Sequence, residues 1–274
     1  MELGGSIRRR SYGWLRSRWL AVLGWGGWCW QPIARRLRED GHNAYPVTLT
    51  GLGERVHLAS PQVNLETHIT DVVNLLEFED LQDVVLVGHS YAALVVTGAA
   101  DQMPERISQL VLVDIGPALD GVALIDTFEP EARGQVEQQV EELGEGWRLP
   151  MPPWDELAEQ GSLEGLGDEQ RRLMRSRAVD QPLATYTQPL RLENTAGREA
   201  LSKVGILCSF SLEQVQAMIA SGGPAFSELA SPKWRFVELP TGHWPMFSRP
   251  DDLAEEHLGV TSGDSRQDGG ERDS

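Results

Sequence analysis

Apolar positions along this chain fall into short continuous runs separated by stretches with helical spacing. Trp19 to Leu23, Val84 to Val87, Leu110 to Val113 and Val204 to Cys208 are runs of this kind, and Tyr45 to Leu49, broken by Thr48, and Trp234 to Leu239, broken by Arg235 and Glu238, also read as strands. A strand that is apolar at successive positions is buried on both faces, so the continuous runs predict a parallel sheet covered on both sides. Between them lie the helices. Pro32 to Asp40 has proline in its first turn, Ile33, Ala34 and Leu37 on one face and Gly41 at its stop. Asn64 caps a helix whose apolar positions are Leu65, Ile69, Val72, Val73 and Leu76. A third helix runs from Tyr91 to about Met103. Strands alternating with helices give the α/β class.

The alternation stops from about Pro117 to Glu199. Asp120 to Glu169 holds fourteen acidic residues against Arg133 and Arg148 alone, a density that predicts solvated helix faces. The stretch "GWRLPMPPWDELA" within it carries Trp147, Met151 and Trp154 among prolines, as a lid over a pocket would. The expected organisation is a basic N-terminus over 1–18, an α/β core over 19–116 and 200–260, an inserted cap over 117–199, and a disordered tail over 261–274.

Composition narrows the function. The chain of 274 residues has 41 acidic against 24 basic residues, a net charge of −17, which argues against a nucleic-acid partner because phosphates need clustered Lys and Arg. Cys29 and Cys208 are too few and too far apart for a disulfide framework or a zinc site, so both are expected as free thiols in a reducing compartment. Arg8, Arg9 and Arg10 ahead of an apolar stretch imitate a secretory signal, but Arg16 and Arg18 interrupt that stretch and no A-x-A-like cleavage site follows. No run approaches the ~20 apolar residues of a membrane span. A cytoplasmic protein, monomer or homodimer, with no membrane partner is expected.

The chemistry concentrates in "DVVLVGHSYAALVV", Asp83 to Val96. Here a buried strand ends on Ser90, between Gly88 and Ala92, and a helix begins. A serine hydroxyl is a poor nucleophile unless a base stands beside it. A sharp strand-to-helix turn pushes the hydroxyl out of the sheet edge, and small flanking residues leave room for the turn. The helix that starts at Tyr91 offers its unpaired N–H groups to a developing oxyanion. Ser90 is therefore the candidate nucleophile. The base on such a scaffold lies after the last strand, where "PTGHWPMFSRPDDLA" places His243. Of the remaining histidines, His57 has a loop from which it could approach the site, and His89 is expected to pack beneath the serine.

With these residues in place the chain resembles the α/β-hydrolases, in the branch of small serine esterases and hydroxynitrile lyases. The similar stretches are "GGWCWQPIARRLREDGHNAYPVTLTGLGERVHLASP", "DVVLVGHSYAALVV", "LVLVDIGPALDG" and "ELPTGHWPMFSRPDDLA". The resemblance implies a Ser-acid-His triad, an acyl-enzyme, no cofactor or metal, and a cap after the strand that follows the elbow helix. It also implies a second oxyanion donor after the first strand, beside the N–H of Tyr91; counting back from Trp28-Cys29-Trp30 puts it at Val22 or Leu23, with Leu23 taken as the candidate. The family commonly places its acid after the strand equivalent to Val204 to Cys208, where this chain reads "CSFSLEQVQ" and has only Glu213. Ser211-x-x-Gln214 has the form of a capping box, which would make Glu213 a first-turn helix residue. Asp114, at the end of "LVLVD", is the other candidate, in the position used by the haloalkane dehalogenase branch. Both remain open on sequence.

The reading is ester hydrolysis by acyl transfer, with Trp244, Met246 and Phe247 after the base and Trp147 and Trp154 of the cap as candidates for an apolar substrate pocket. The rivals are a catalytically silent small-ligand binder and a hydroxynitrile lyase. The lyases carry lysine directly after the histidine, where this chain has Trp244. Dehalogenase chemistry needs a carboxylate in place of Ser90.

Overall fold

Six strands form one sheet in the order β2-β1-β3-β4-β7-β8, in a computed structural model that describes residues 18–22, 25–159, 163–223, 226 and 228–261. They are β1 (Arg18–Val22), β2 (Asn43–Val47), β3 (Val84–His89), β4 (Ile107–Val113), β7 (Ser202–Leu207) and β8 (Trp234–Glu238). Every neighbouring pair is parallel. Each expected strand is present, with bounds displaced by at most three residues. The basic segment and the tail expected at the two ends fall largely outside the described residues.

β3 is buried at every position because it lies inside the sheet between helical layers. The helices of the alternating region are α1 (Gln31–Glu39), α2 (Leu65–Phe78) and α3 (Ala92–Gln102). Asn64 caps α2 as expected, its side chain accepting from the N–H of Thr67 at 3.0 Å. Two buried clusters cover the two faces of the sheet. One joins α2 and α3 through Leu65, Ile69, Val72, Leu94, Val95 and Leu124. The other joins α1 to the C-terminal part through Trp30, Ile33, Leu37, Trp244, Met246 and Leu253.

Between β4 and β7 the chain leaves the sheet. This insertion contains α4 (Pro130–Leu143), the two-residue strand β5 (Arg148–Leu149), α5 (Trp154–Glu159), α6 (Asp168–Arg177), β6 (Gln181–Pro182), α7 (Ala184–Thr187) and α8 (Thr195–Ala200), with β5 and β6 antiparallel. Its acidic helices are mostly exposed: Val140 is the buried residue of α4 and Met174 that of α6. Leu157, Leu163, Leu166 and Met174 join the second cluster, while Leu124 and Leu190 join the first. The insertion is thus seated on both sides of the sheet's C-terminal edge. At its end, Asp101 of α3 accepts hydrogen bonds from the N–H groups of Glu193 and Asn194 at 2.8 and 2.9 Å and pairs with Arg198. After β7 come α9 (Leu212–Ala220), α10 (Pro245–Ser248) and α11 (Pro250–Thr261). Among the described residues no helix is long and apolar enough to cross a membrane.

Candidate active site

β3 runs into Ser90, which sits at φ 51°, in the left-handed region that non-glycine residues rarely adopt. Such a residue turns the chain sharply, and α3 begins two positions later. Gly88 is what lets the helix fold back over the strand. A Cβ there would lie 2.5 Å from Val96 Cγ2 and 2.8 Å from the carbonyl oxygen of Ala92. The serine N–H donates to the carbonyl of Val113 at 3.3 Å, which ties the turn to β4. Ser90 itself is half-buried and remains open to solvent.

Asp114, directly after β4, is at φ 52° and almost fully buried. A buried carboxylate needs partners, and this one has four. Oδ1 accepts from the N–H groups of Cys208 and Ser209 at 3.0 and 2.7 Å. Oδ2 accepts from the Ser209 hydroxyl at 2.8 Å and from His243 Nδ1 at 2.7 Å. Burial alone would raise the carboxyl pKa. The hydrogen bond and charge of His243, with the Ser209 donors, outweigh it and hold Asp114 below its ordinary value. The side chain is therefore ionised, an acceptor only, and His243 Nδ1 carries the proton. Nε2 of His243 is left as the nitrogen able to take one up.

His243 lies in the loop between β8 and α10 and is held from below. His89, buried completely at the end of β3, donates from Nε2 to the His243 carbonyl at 2.6 Å, with the two rings 4.6 Å apart. Burial pushes the His89 pKa down to about 3, so it stays neutral and acts as a strut. A second buried histidine supports the elbow. His68 bridges the Thr50 carbonyl and the Tyr91 hydroxyl, each at 2.8 Å, and Tyr91 stacks on Tyr186 of the insertion at 5.5 Å. Because Nε2 faces a carbonyl it must be the donor, and Nδ1 accepts from Tyr91. Burial lowers the His68 pKa to about 4.

The structure thus brings Ser90, Tyr91, Asp114 and His243 to the C-terminal edge of the sheet. Leu23 lies outside the described residues. Glu213 is exposed in the first turn of α9, beneath a capping box in which Ser211 and Gln214 satisfy each other's N–H groups. His57 is exposed on a short 3-10 turn. Trp244 and Met246 are buried, with the ring of Trp244 5.0 Å from that of Trp25, and Phe247 makes tilted ring contacts with Trp25 at 6.3 Å and Trp28 at 5.5 Å. Trp154 packs on the same cluster, whereas Trp147 lies apart beside Arg148. Sequence reasoning missed Ser209 and His68. The signal for His68 was its place beside Leu65 and Ile69 on the apolar face of α2; Ser209 had no signal beyond being a hydroxyl at a strand end.

A sequence model of the alpha/beta hydrolase family matches residues 20–256. The chain belongs to this family. It is 34% identical to a carbendazim hydrolyzing esterase of Nocardioides over 242 residues, which is 84% of this chain and 93% of that protein. A putative chloroplastic methylesterase 14 of Arabidopsis thaliana is 31% identical over 147 residues, 52% of this chain and 42% of the relative. These relatives place the chain among the ester-hydrolysing enzymes of the alpha/beta hydrolase family. Among solved structures, an extracellular alpha/beta-hydrolase of a Paenibacillus species superposes with a TM-score of 0.74 at 21% identity, covering 89% of this chain and 98% of that one. Tomato methylketone synthase I superposes at 0.68 with 16% identity, covering 90% and 98% of the two chains. Both show the same fold.

Proposed function

We propose that this alpha/beta hydrolase cleaves small carboxylic esters through an acyl-enzyme on Ser90, with His243 as general base and acid and Asp114 as the group that orients it. The observation that carries the proposal is the 2.7 Å contact between His243 Nδ1 and the buried Asp114 carboxylate, beside an elbow that holds Ser90 at φ 51°. Ser90 Oγ attacks the ester carbonyl as its proton passes to His243 Nε2. Asp114 stabilises the imidazolium so formed without taking the proton itself. The N–H of Tyr91, at the start of α3, binds the oxyanion together with a second donor proposed at Leu23. His243 then protonates the departing alkoxide. Water, deprotonated by the same nitrogen, releases the acid.

The contact with Asp114 favours that residue over Glu213 as the acid. Trp244 directly after the base supports hydrolysis over lyase chemistry, since it supplies no charge for a cyanide anion. Intact-mass measurement after treatment with a fluorophosphonate tests the reading. The wild type should gain one adduct that Ser90→Ala lacks; a folded wild type that gains none overturns it in favour of a silent ligand binder.

A further inference from the structure

His89 is the last residue of β3, directly before the proposed nucleophile, and its side chain is fully buried. Its Nε2–H reaches across 154 residues of sequence to the main-chain oxygen of His243, at 2.6 Å. Nδ1 is then an unprotonated acceptor, and among the described residues nothing donates to it. A buried polar atom without a partner costs stability that a leucine or methionine of similar size would not. Packing alone therefore does not account for a histidine here. Its ring stands 4.6 Å from that of His243 and 5.3 Å from that of Trp244, contacts that an apolar side chain would also make.

We propose that His89 is a positioning residue, which ties the main chain of the base to the strand that carries the nucleophile and so sets the reach of His243 Nε2 towards Ser90 Oγ. The inference rests on the serine-esterase reading. The loop between β8 and α10 is tied at few points. Thr241 N–H donates to the Cys208 carbonyl at 3.2 Å and Gly242 N–H to that of Glu164 at 3.3 Å. Among the described residues, the bond from His89 is the one made to the main chain of His243 itself. Two anchors then act on the base in different ways. Asp114 holds the ring at Nδ1, fixing its tautomer and tilt, while His89 holds the backbone from which that ring projects. The post is a rigid one. β3 lies inside the sheet between β1 and β4, buried at every position, and His89 stands opposite Val113, the residue before Asp114. Nucleophile, acid and base are thus all referred to two neighbouring strand ends. Such precision matters because a shift of about 1 Å from a change away from the chemistry costs ~10²-fold in rate.

Steady-state hydrolysis of 4-nitrophenyl acetate by His89→Leu, His89→Met and His89→Gln separates positioning from packing. The amide nitrogen of a glutamine reaches the place of the imidazole Nε2 and donates the same bond; leucine and methionine fill the space without a donor. In the two apolar variants kcat should fall by about 10²-fold with KM changed less than about threefold. Their urea midpoints at pH 7 should stay near that of the wild type, since the lost bond is offset by removal of the unpaired Nδ1. His89→Gln should recover at least about tenfold of the lost kcat. A folded apolar variant with kcat within about threefold of the wild type, or a glutamine variant no faster than the apolar ones, overturns the proposal. Failure of both apolar variants to fold also overturns it, in favour of a core role. In each of these cases labelling of Ser90 by a fluorophosphonate leaves the nucleophile assignment standing. A folded wild type that takes up no fluorophosphonate overturns the serine reading itself, and the positioning of its base with it.

Discussion

At the C-terminal edge of the sheet β4 is followed by a buried carboxylate at φ 52°, Asp114, whereas its neighbour β7 is followed by Cys208 and Ser209. The two ends are joined by the hydrogen bonds from Cys208 N–H, Ser209 N–H and Ser209 Oγ to Asp114. In the family this chain resembles, the acid commonly follows the strand equivalent to β7. Here that strand end supplies donors to Asp114, which stands one strand closer to Ser90 and is the acid of the proposed triad. The lesson is that a triad requires a carboxylate at His243 Nδ1 with its remaining lone pairs satisfied. Which strand carries it is secondary, provided the neighbouring strand offers N–H groups in its place.

Variants can break this comparison in graded steps. Asp114→Asn should reduce kcat by about 10⁴-fold in steady-state ester hydrolysis, the scale seen when a triad acid is replaced by its amide. Next in size is a loss of stability with acid. His68 and His89 are neutral in the fold, with pKa lowered from 6.5 to about 4 and about 3. Below pH 6.5 the unfolded chain binds protons that the fold excludes, so stability falls with pH towards those folded values by about 1.4 kcal/mol per pH unit for each histidine. Asp114, whose pKa is lowered, adds to this only at lower pH, where it loses its charge. Urea unfolding at pH 7 and pH 5 measures the slope, and equal midpoints would contradict it. Ser209→Ala removes one of four hydrogen bonds to the acid and should reduce kcat/KM about tenfold, near 1.4 kcal/mol. Glu213→Gln should change it less than twofold, and a loss comparable to that of Asp114→Asn would place the acid after β7 instead.

Much of this molecule was legible in its sequence because the signals were local. Continuous apolar runs marked the strands, Asn64 and Ser211 marked helix starts, and Gly88-His89-Ser90 marked the elbow. The acid was not, since Asp114 and Glu213 each stand near a strand end and only the spatial approach of His243 separates them. Trp244, Met246 and Phe247 follow the histidine directly, and sequence proximity says nothing of facing; in the fold they pack in the cluster around Trp25. Ser209 and His68 escaped notice because their partners are 95 and 23 residues away in the chain.

The pairing of His243 with Asp114 is open to direct observation by proton NMR on histidine-labelled protein. A ring Nδ1–H donated to a buried carboxylate resonates far downfield, and His243→Ala identifies the signal. The account predicts that this resonance disappears in Asp114→Ala and persists in Glu213→Gln. Its persistence in a folded Asp114→Ala protein would contradict the assignment of Asp114 as the triad acid.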